Sequence, residues 1–251
     1  MDNTQKFSGR AQDYTKGRPG YPQALFDCLY DKYSFSDSSV IADIGAGTGK
    51  FSKYLLDMGS KVYLVEPNDD MRLVAQSELS DYSKAVFVNG SSETTMLSDT
   101  SVDFVTAAQS FHWFDAKKFK KECKRILKPD GKVALIWNTR DMSSEFNFKS
   151  YEIYKKYCPL FKGYHGGMKD DDERISDFFD NNCDKFIFEN PLIFTKNKFI
   201  TRSLSASYSL KIGDENFDEY VKALENLFDE YAENDVVVMK NNTTAYIGAV
   251  K

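Results

Sequence analysis

The sequence predicts an α/β protein built on a doubly wound parallel sheet. Short β-branched runs alternate with segments of helical spacing through residues 39–138. A glycine-rich turn joins the first strand directly to the helix after it. The chain has 251 residues, 41% of them apolar, enough for one large core. Alternation of strand and helix is the pattern of parallel strands with helices covering both faces.

Residues 1–20 are polar, hold Gly9, Gly17, Pro19 and Gly20, and read as an irregular arm. Residues 22–33 have helical spacing, with Pro22 suited to a first turn. Ser39–Ile44 is a strand running straight into Gly45. A helix over Phe51–Met58, a strand over Val62–Val65, a helix over Asp69–Leu79 and a strand over Ala85–Val88 follow. Val102–Ala107 is the fourth strand. Ala116–Leu127 is a helix that Asp115 would cap and the Pro129-Asp130-Gly131 turn would end. Val133–Trp137 is the fifth strand. The alternation stops after Asn138. Residues 140–183 are helical and polar, Phe186–Phe194 is a strand, and Asn197–Ser205 and Asn216–Glu233 are helices. The apolar residues of 217–231 recur at helical spacing and read as core. Residues 235–250 suit a final strand or a hairpin around Asn241-Asn242.

Composition narrows the function classes. Thirty-three basic and 38 acidic residues give a net charge of −5, which argues against a broad nucleic-acid footprint. No run of 18 apolar residues occurs, so no membrane span is expected. The opening residues lack the apolar stretch of a signal peptide, and Cys28, Cys123, Cys158 and Cys183 are dispersed. These features lead to an expectation of a cytoplasmic protein with reduced thiols. With two histidines, His112 and His165, and no metal-ligand spacing, no metal site is expected. The acidic run before Ile175 reads as a charged helix start.

The most informative stretch is Asp43-Ile-Gly45-Ala46-Gly47-Thr48-Gly49-Lys50. Glycines there permit positive φ and let a ligand approach the backbone. The helix start beyond them presents free N–H groups. A dinucleotide fingerprint would place its third glycine one residue later, and a P-loop would need Gly-Lys-Ser/Thr. The next strand ends in Glu66-Pro67-Asn68, nineteen residues after Gly47. An acid at that strand tip can accept both ribose hydroxyls of a nucleoside. The third strand ends in Asn89-Gly90-Ser91-Ser92-Glu93. The fourth runs into Gln109-Ser110-Phe111-His112-Trp113-Phe114-Asp115.

The Asp43–Gly49 run resembles motif I of class I S-adenosylmethionine-dependent methyltransferases. The segment 109–115 and the arm Phe7–Pro22 resemble the type 11 branch related to trans-aconitate methyltransferases. That resemblance implies a Rossmann-like sheet of seven strands, the last antiparallel, under a helical cap. It implies a single domain over 1–251: arm and first helix in 1–35, cofactor-binding core in 36–138, helical insertion over the cleft in 139–183, and completion of the sheet in 184–251. The cofactor implied is S-adenosylmethionine, with S-adenosylhomocysteine as product. Its site would draw on Tyr14, Arg18, Asp43, Gly45, Ala46, Gly47, Thr48, Gly49, Glu66, Pro67, Asn68, Met71, Ser91, Ser92, Glu93 and Gln109. Ser91 replaces the acid usual at the adenine-contacting turn.

In-line methyl transfer needs positioning and exclusion of water more than a catalytic group. His112 is the available base if the acceptor must lose a proton, whereas a carboxylate acceptor needs none. Phe111, Trp113, Trp137 and Arg140 are the expected acceptor-side residues, with Trp137 equally readable as core. Neither the Asp-Pro-Pro-Tyr type of motif nor a Pro-Cys nucleophile occurs, and the resemblance of 109–115 to the trans-aconitate branch implies a small-molecule partner, expected to be methylated on an oxygen or carboxylate. The other classes weighed are a non-catalytic binder of the methyl donor or its product, a nicotinamide-dependent oxidoreductase and an RNA methyltransferase.

Overall fold

The computed structural model describes residues 19–164 and 172–250. In order, the elements are α1 (Gln23–Tyr33), β1 (Val40–Ile44), α2 (Lys50–Asp57), β2 (Lys61–Val65), α3 (Asp69–Glu78), β3 (Ala85–Val88) and β4 (Val102–Ala108). A 3₁₀ turn (Phe111–Trp113) comes next. Then follow α4 (Ala116–Ile126), β5 (Leu127–Arg140), α5 (Glu145–Tyr157), α6 (Glu173–Phe178), β6 (Asp184–Glu189) and β7 (Leu192–Thr195). The chain continues with α7 (Lys196–Leu204), α8 (Phe217–Tyr231), β8 (Val236–Met239) and β9 (Asn241–Gly248).

Seven strands form one sheet in the order β3-β2-β1-β4-β5-β9-β6. β1 pairs in parallel with β2 and β4, β2 with β3, and β4 with β5. The last strand is antiparallel. The order reverses between β1 and β4, and in open α/β sheets ligands bind beyond the strand ends at such a reversal.

The described residues fall into two compact units. Unit 1 holds those of Met1–Trp137, Met168–Phe188 and Thr243–Lys251; unit 2 holds those of Asn138–Gly167 and Glu189–Asn242. The stretch expected as an insertion, 139–183, is therefore divided between the units. Much of the stretch expected to complete the sheet, 184–251, lies in unit 2.

In unit 1 the period of two along β1 sends Ile41 to one face and Ala42 and Ile44 to the other. The Ile41 face packs with Leu25 and Leu29 of α1, Leu55 and Leu56 of α2, and Ala75 of α3. The opposite face packs with Phe119, Cys123 and Ile126 of α4 and with Phe178 of α6. Phe26 of α1 stacks on Tyr54 of α2 with centroids 4.7 Å apart. Unit 2 has its own core, from Phe146 and Tyr154 of α5, Phe199 of α7, Leu224 and Phe228 of α8, and Val237 and Met239 of β8. Its two-stranded sheet pairs β7 and β8 antiparallel.

Three expectations change. The single strand over Phe186–Phe194 is two strands in different sheets, broken at Asn190-Pro191, because proline has no N–H to donate to a ladder. The final strand is likewise divided: β8 joins β7 and β9 joins the main sheet, so Asn241-Asn242 makes no hairpin turn. The Pro129–Gly131 turn lies within β5. Val102 pairs with Leu127 and Phe104 with Lys132, and the extra residues bulge outward through Asp130 at φ 67°.

Candidate functional site: the strand ends of unit 1

The glycine loop begins where β1 ends. Gly45, Gly47 and Gly49 have φ of 68°, 57° and 78°, where other residues are strained. The N–H groups of Gly45 and Ala46 both donate to the Val65 carbonyl, at 2.8 and 3.2 Å, which seats the loop on the end of β2. Gly49 caps α2 in the left-handed conformation.

The three glycines are required for different reasons. A Cβ on Gly45 would lie 2.7 Å from the Ser110 Cβ and 3.2 Å from the Phe114 ring. One on Gly49 would lie 2.7 Å from Leu79 Cδ1. Gly45 thus admits the β4 loop, and Gly49 admits the neighbouring helix end. Among the described residues, a Cβ on Gly47 would meet nothing within 4 Å. Their packing places no demand there, so toward the described residues the bare backbone at Gly47 is open.

Glu66 lies at the tip of β2, 9% exposed. One carboxylate oxygen accepts the Gly47 N–H at 2.9 Å and the other accepts the Asn68 N–H at 2.9 Å. Burial pushes its pKa up, and the two N–H groups oppose that shift. Arg72 donates to the Glu66 carbonyl at 2.8 Å. Asn68 caps α3 by accepting the Met71 N–H at 3.0 Å. Glycine loop, acid and third helix are thereby held together, as their spacing in the sequence requires. Pro67 is half-buried between Glu66 and this cap.

Asp43 lies beneath the loop rather than in it. It is 1% exposed, and its oxygens accept Ser52 Oγ at 2.5 Å and Thr106 Oγ1 at 2.9 Å. Burial pushes its carboxyl up to about 6, against the two hydroxyl donors and with a further push from Glu66. Its bonds join β1, α2 and β4 beneath the loop. Thr48 and Met71 are also buried, at 5% and 2%.

The third-strand turn is closed by Ser91 and Thr94, whose backbones exchange hydrogen bonds. The Ser91 hydroxyl accepts the Glu93 N–H at 3.2 Å. The Ser92 hydroxyl donates to Glu93 at 2.8 Å, and the same Glu93 oxygen accepts the Asp115 N–H at 3.2 Å. Burial pushes Glu93 up, but these donors outweigh it and hold the carboxyl below its ordinary value. Just beyond, Thr95 donates its N–H and hydroxyl to Glu122 of α4, at 2.7 and 2.6 Å. Burial again opposes, but Arg125 and Thr95 hold Glu122 at about 2.

After β4, Gln109 has φ 59° and donates its N–H to Ile136 at 2.8 Å. The Ser110 hydroxyl donates to the Ile44 carbonyl at 2.8 Å and ties this loop to the end of β1. The 3₁₀ turn then divides the aromatic run. Phe111 is 1% exposed and packs with Trp137, Phe119 and Phe178, so its side chain is core. His112 is half-buried, its ring 4.7 Å from that of Trp113, which is 41% exposed. Phe114 packs against Phe119 and leads to Asp115, which caps α4 by accepting the Lys118 N–H.

Trp137 is 5% exposed and packs edge-on to Tyr246. Of the two readings open for it, burial favours core. Arg140 lies in unit 2, its guanidinium carbon 3.9 Å from the centre of the Tyr164 ring. Tyr14, Arg18 and His165 lie outside the described residues. The anchoring residues Ser52, Thr106, Ser110, Thr95 and Glu122 were not singled out in the sequence. Hydroxyls and an acid on separate elements carry no local spacing signal.

Residues 42–135 match the family model of a methyltransferase domain. That stretch is a methyltransferase domain. It contains the glycine loop, Glu66, the third-strand turn and the β4 loop. An uncharacterized methyltransferase-like protein of Schizosaccharomyces pombe is 35% identical over 163 residues, covering 62% of this chain and 61% of that protein. The chain spans between 55% and 64% of the length of the first curated relatives it matches. A solved structure from Anaeromyxobacter dehalogenans, described as a candidate type II methyltransferase, superposes with a TM-score of 0.62 at 19% identity. It covers 93% of this chain and 98% of the other. The geranyl diphosphate C-methyltransferase of Streptomyces coelicolor, solved in complex with S-adenosyl-L-homocysteine, gives a TM-score of 0.51 at 14% identity over 91% of this chain and 77% of that one. The methyltransferase domain therefore sits in the class I methyltransferase fold. Among the described residues, no group of three or more His, Cys, Asp or Glu could hold a metal ion. No described helix is long and apolar enough to cross a membrane.

Proposed function

We propose that this protein transfers a methyl group from S-adenosylmethionine to a small-molecule acceptor, through an oxygen or a carboxylate. The observation that carries the reading is the open backbone at Gly47 beside the Glu66 carboxylate. A nucleoside fits there. Glu66 accepts hydroxyl hydrogens, the loop tolerates close approach, and the start of α2 offers N–H groups. The likeness to the Streptomyces enzyme supports the same donor, since that protein was solved with S-adenosylhomocysteine.

Bound there, S-adenosylmethionine supplies an electrophilic methyl group on a sulfonium. The chain's own residues do the rest. Glu66 orients the ribose through its hydroxyls. Gly45 and Ser110 set the spacing between the β1 and β4 loops, so the donor rests on a fixed floor. Ser91, Ser92 and Glu93 supply polar contacts for the base. Trp113 presents the exposed aromatic surface of the β4 loop, where a ring face can attract a positive centre. His112 takes the proton of a hydroxyl acceptor, and a carboxylate acceptor leaves it idle.

The experiment is transfer of labelled methyl from S-adenosylmethionine to a panel of small carboxylic acids and hydroxylated compounds. The reading expects a labelled ester or ether. A His112→Ala protein should lose ether formation and keep ester formation. Donor binding with no transfer to any acceptor would leave a binding module in place of an enzyme.

A further inference from the structure

In unit 1 the chain between β3 and β4 forms no helix or strand over residues 89–101, so its place rests on turns and side-chain bonds. It folds back tightly at its start, where a Cβ on Gly90 would lie 2.6 Å from the Thr95 carbonyl oxygen. Two acids then tie it to α4. Glu122, midway along that helix, accepts the N–H and the hydroxyl of Thr95. Arg125 donates to Glu122 through Nε and Nη2, at 2.9 and 2.7 Å, and through Nη1 to the Leu97 carbonyl at 2.8 Å. This hub fixes Thr95 and Leu97 on the body of α4.

The second tie reaches the start of the helix. Glu93 Oε1 accepts the Ser92 hydroxyl and the N–H of Asp115, 22 residues away in the chain. Asp115 is both the N-cap of α4 and the end of the β4 loop. The 3₁₀ turn just before it is bonded step by step. The Trp113 N–H donates to the Ser110 carbonyl at 2.9 Å, and the Phe114 N–H donates to the Phe111 carbonyl at 3.0 Å. A shift of Asp115 therefore carries the turn that holds His112 and Trp113, and moves the Phe114 ring against Gly45.

A local cap would not need Glu93. In a capping box the N-cap N–H is met by an acid three residues into the same helix. Here that position is Lys118, while the Asp115 side chain accepts the Lys118 N–H in the ordinary way. The reciprocal acid comes from the turn after β3 instead. An acid at 118 would complete the cap and leave the two loops independent; Glu93 completes it and joins them.

We propose that Glu93, beyond any contact of its own with the donor, is a positioning residue: as the distant half of the α4 cap it sets the β4 loop, with His112 and Trp113, from the turn at Ser91 and Ser92. Its part in methyl transfer rests on the reading above; the link between turn and loop does not.

Hydrogen exchange of the full chain, resolved to single amides, tests the link at Trp113, Phe114 and Asp115. The Thr95 amide, held by Glu122, is the internal reference. Glu93→Ala should raise exchange at the three loop amides about tenfold, the loss of one charge-assisted hydrogen bond, and leave Thr95 as it was. Glu93→Gln keeps an acceptor of the same reach and should stay close to the unmodified protein. Glu93→Asp keeps the charge near the helix start but falls short of the Asp115 amide. It should behave like Glu93→Ala, and it serves if the alanine variant folds poorly. A charge acting only on the helix dipole predicts the reverse order, with the Asp variant near the unmodified protein. With S-adenosylhomocysteine added, the unmodified protein should gain protection at Gly47 and at the loop amides, and Glu93→Asp at Gly47 alone. No protection by that compound in any of the proteins counts against the donor reading, and the ligand-free comparison still decides the link. Unchanged loop exchange in Glu93→Ala, an equal rise at Thr95, or the reverse order of the Gln and Asp variants overturns the proposal.

Discussion

Gly47 and Gly49 share a left-handed backbone, yet their neighbours differ, and this difference sets the packing requirement at Gly49 apart from the ligand contact proposed for Gly47. Both alanine variants carry the conformational cost of a side chain at positive φ, about 1–2 kcal/mol. Gly49→Ala adds a methyl 2.7 Å from Leu79 and 3.2 Å from Leu64, with a further cost of roughly 1–3 kcal/mol. Gly47→Ala meets no atom of the described residues within 4 Å. Gly49→Ala should therefore show the larger fall in melting temperature, and Gly47→Ala the larger loss of S-adenosylhomocysteine affinity relative to its change in stability. Asp43 gives a pH signature. Its pKa rises from 3.8 to about 6 on folding, so the folded state holds the proton more tightly. The stability tied to that proton is complete below pH about 4 and lost as pH rises through about 6, an effect of about 3 kcal/mol. Urea unfolding of Asp43→Asn between pH 4.5 and 7 should show a flatter dependence than the unmodified protein. Glu122, held at about 2, has the opposite sign: its contribution is present above about 4.5 and lost toward pH 2. Of these residues the sequence exposed Gly47 and Asp43 through their spacing. It concealed Glu122, whose partners are Thr95 and Arg125, because an acid on a helix surface reads as solvated until the fold brings the Thr95 donors to it.

Elements set how far an effect at one residue spreads. Glu66 connects the glycine loop to the cap of α3 through the N–H groups of Gly47 and Asn68. Glu66→Gln keeps the shape and removes the charge, and should weaken S-adenosylhomocysteine binding roughly 10- to 100-fold, the range of one or two charge-assisted hydrogen bonds. Asn68→Ala removes the side-chain cap of α3, about 1 kcal/mol of stability, but keeps the backbone N–H to Glu66. It should lower the melting temperature and cost less affinity than Glu66→Gln. The elements of 39–138 were legible because each strand in a covered parallel sheet is apolar on both faces and each helix on one. Those after 183 were harder. Phe186–Phe194 has one apolar pattern throughout, and only Pro191 marks where it changes sheets. The stretch Val236–Gly248 changes sheets at Lys240, with no proline or glycine there to signal it.

At the scale of the whole molecule, the two units have separate cores, and one alone contains the glycine loop, Glu66 and the turns after β3 and β4. Phe111 and Trp137 show how tertiary packing decides what a motif cannot. Both lie in a stretch that reads as acceptor-facing, and both are buried in an aromatic core. The central claim is that the floor beneath Gly47 and Glu66 holds the adenosyl methyl donor. Ligand that binds only the folded state stabilises it in proportion to the logarithm of its concentration over its dissociation constant. The direct measurement is calorimetric titration with S-adenosylhomocysteine, with NAD as the control, accompanied by the shift in melting temperature. The account predicts saturable binding and a raised melting temperature with S-adenosylhomocysteine and neither with NAD. A well-folded protein that ignores S-adenosylhomocysteine, or that binds NAD in its place, would contradict it.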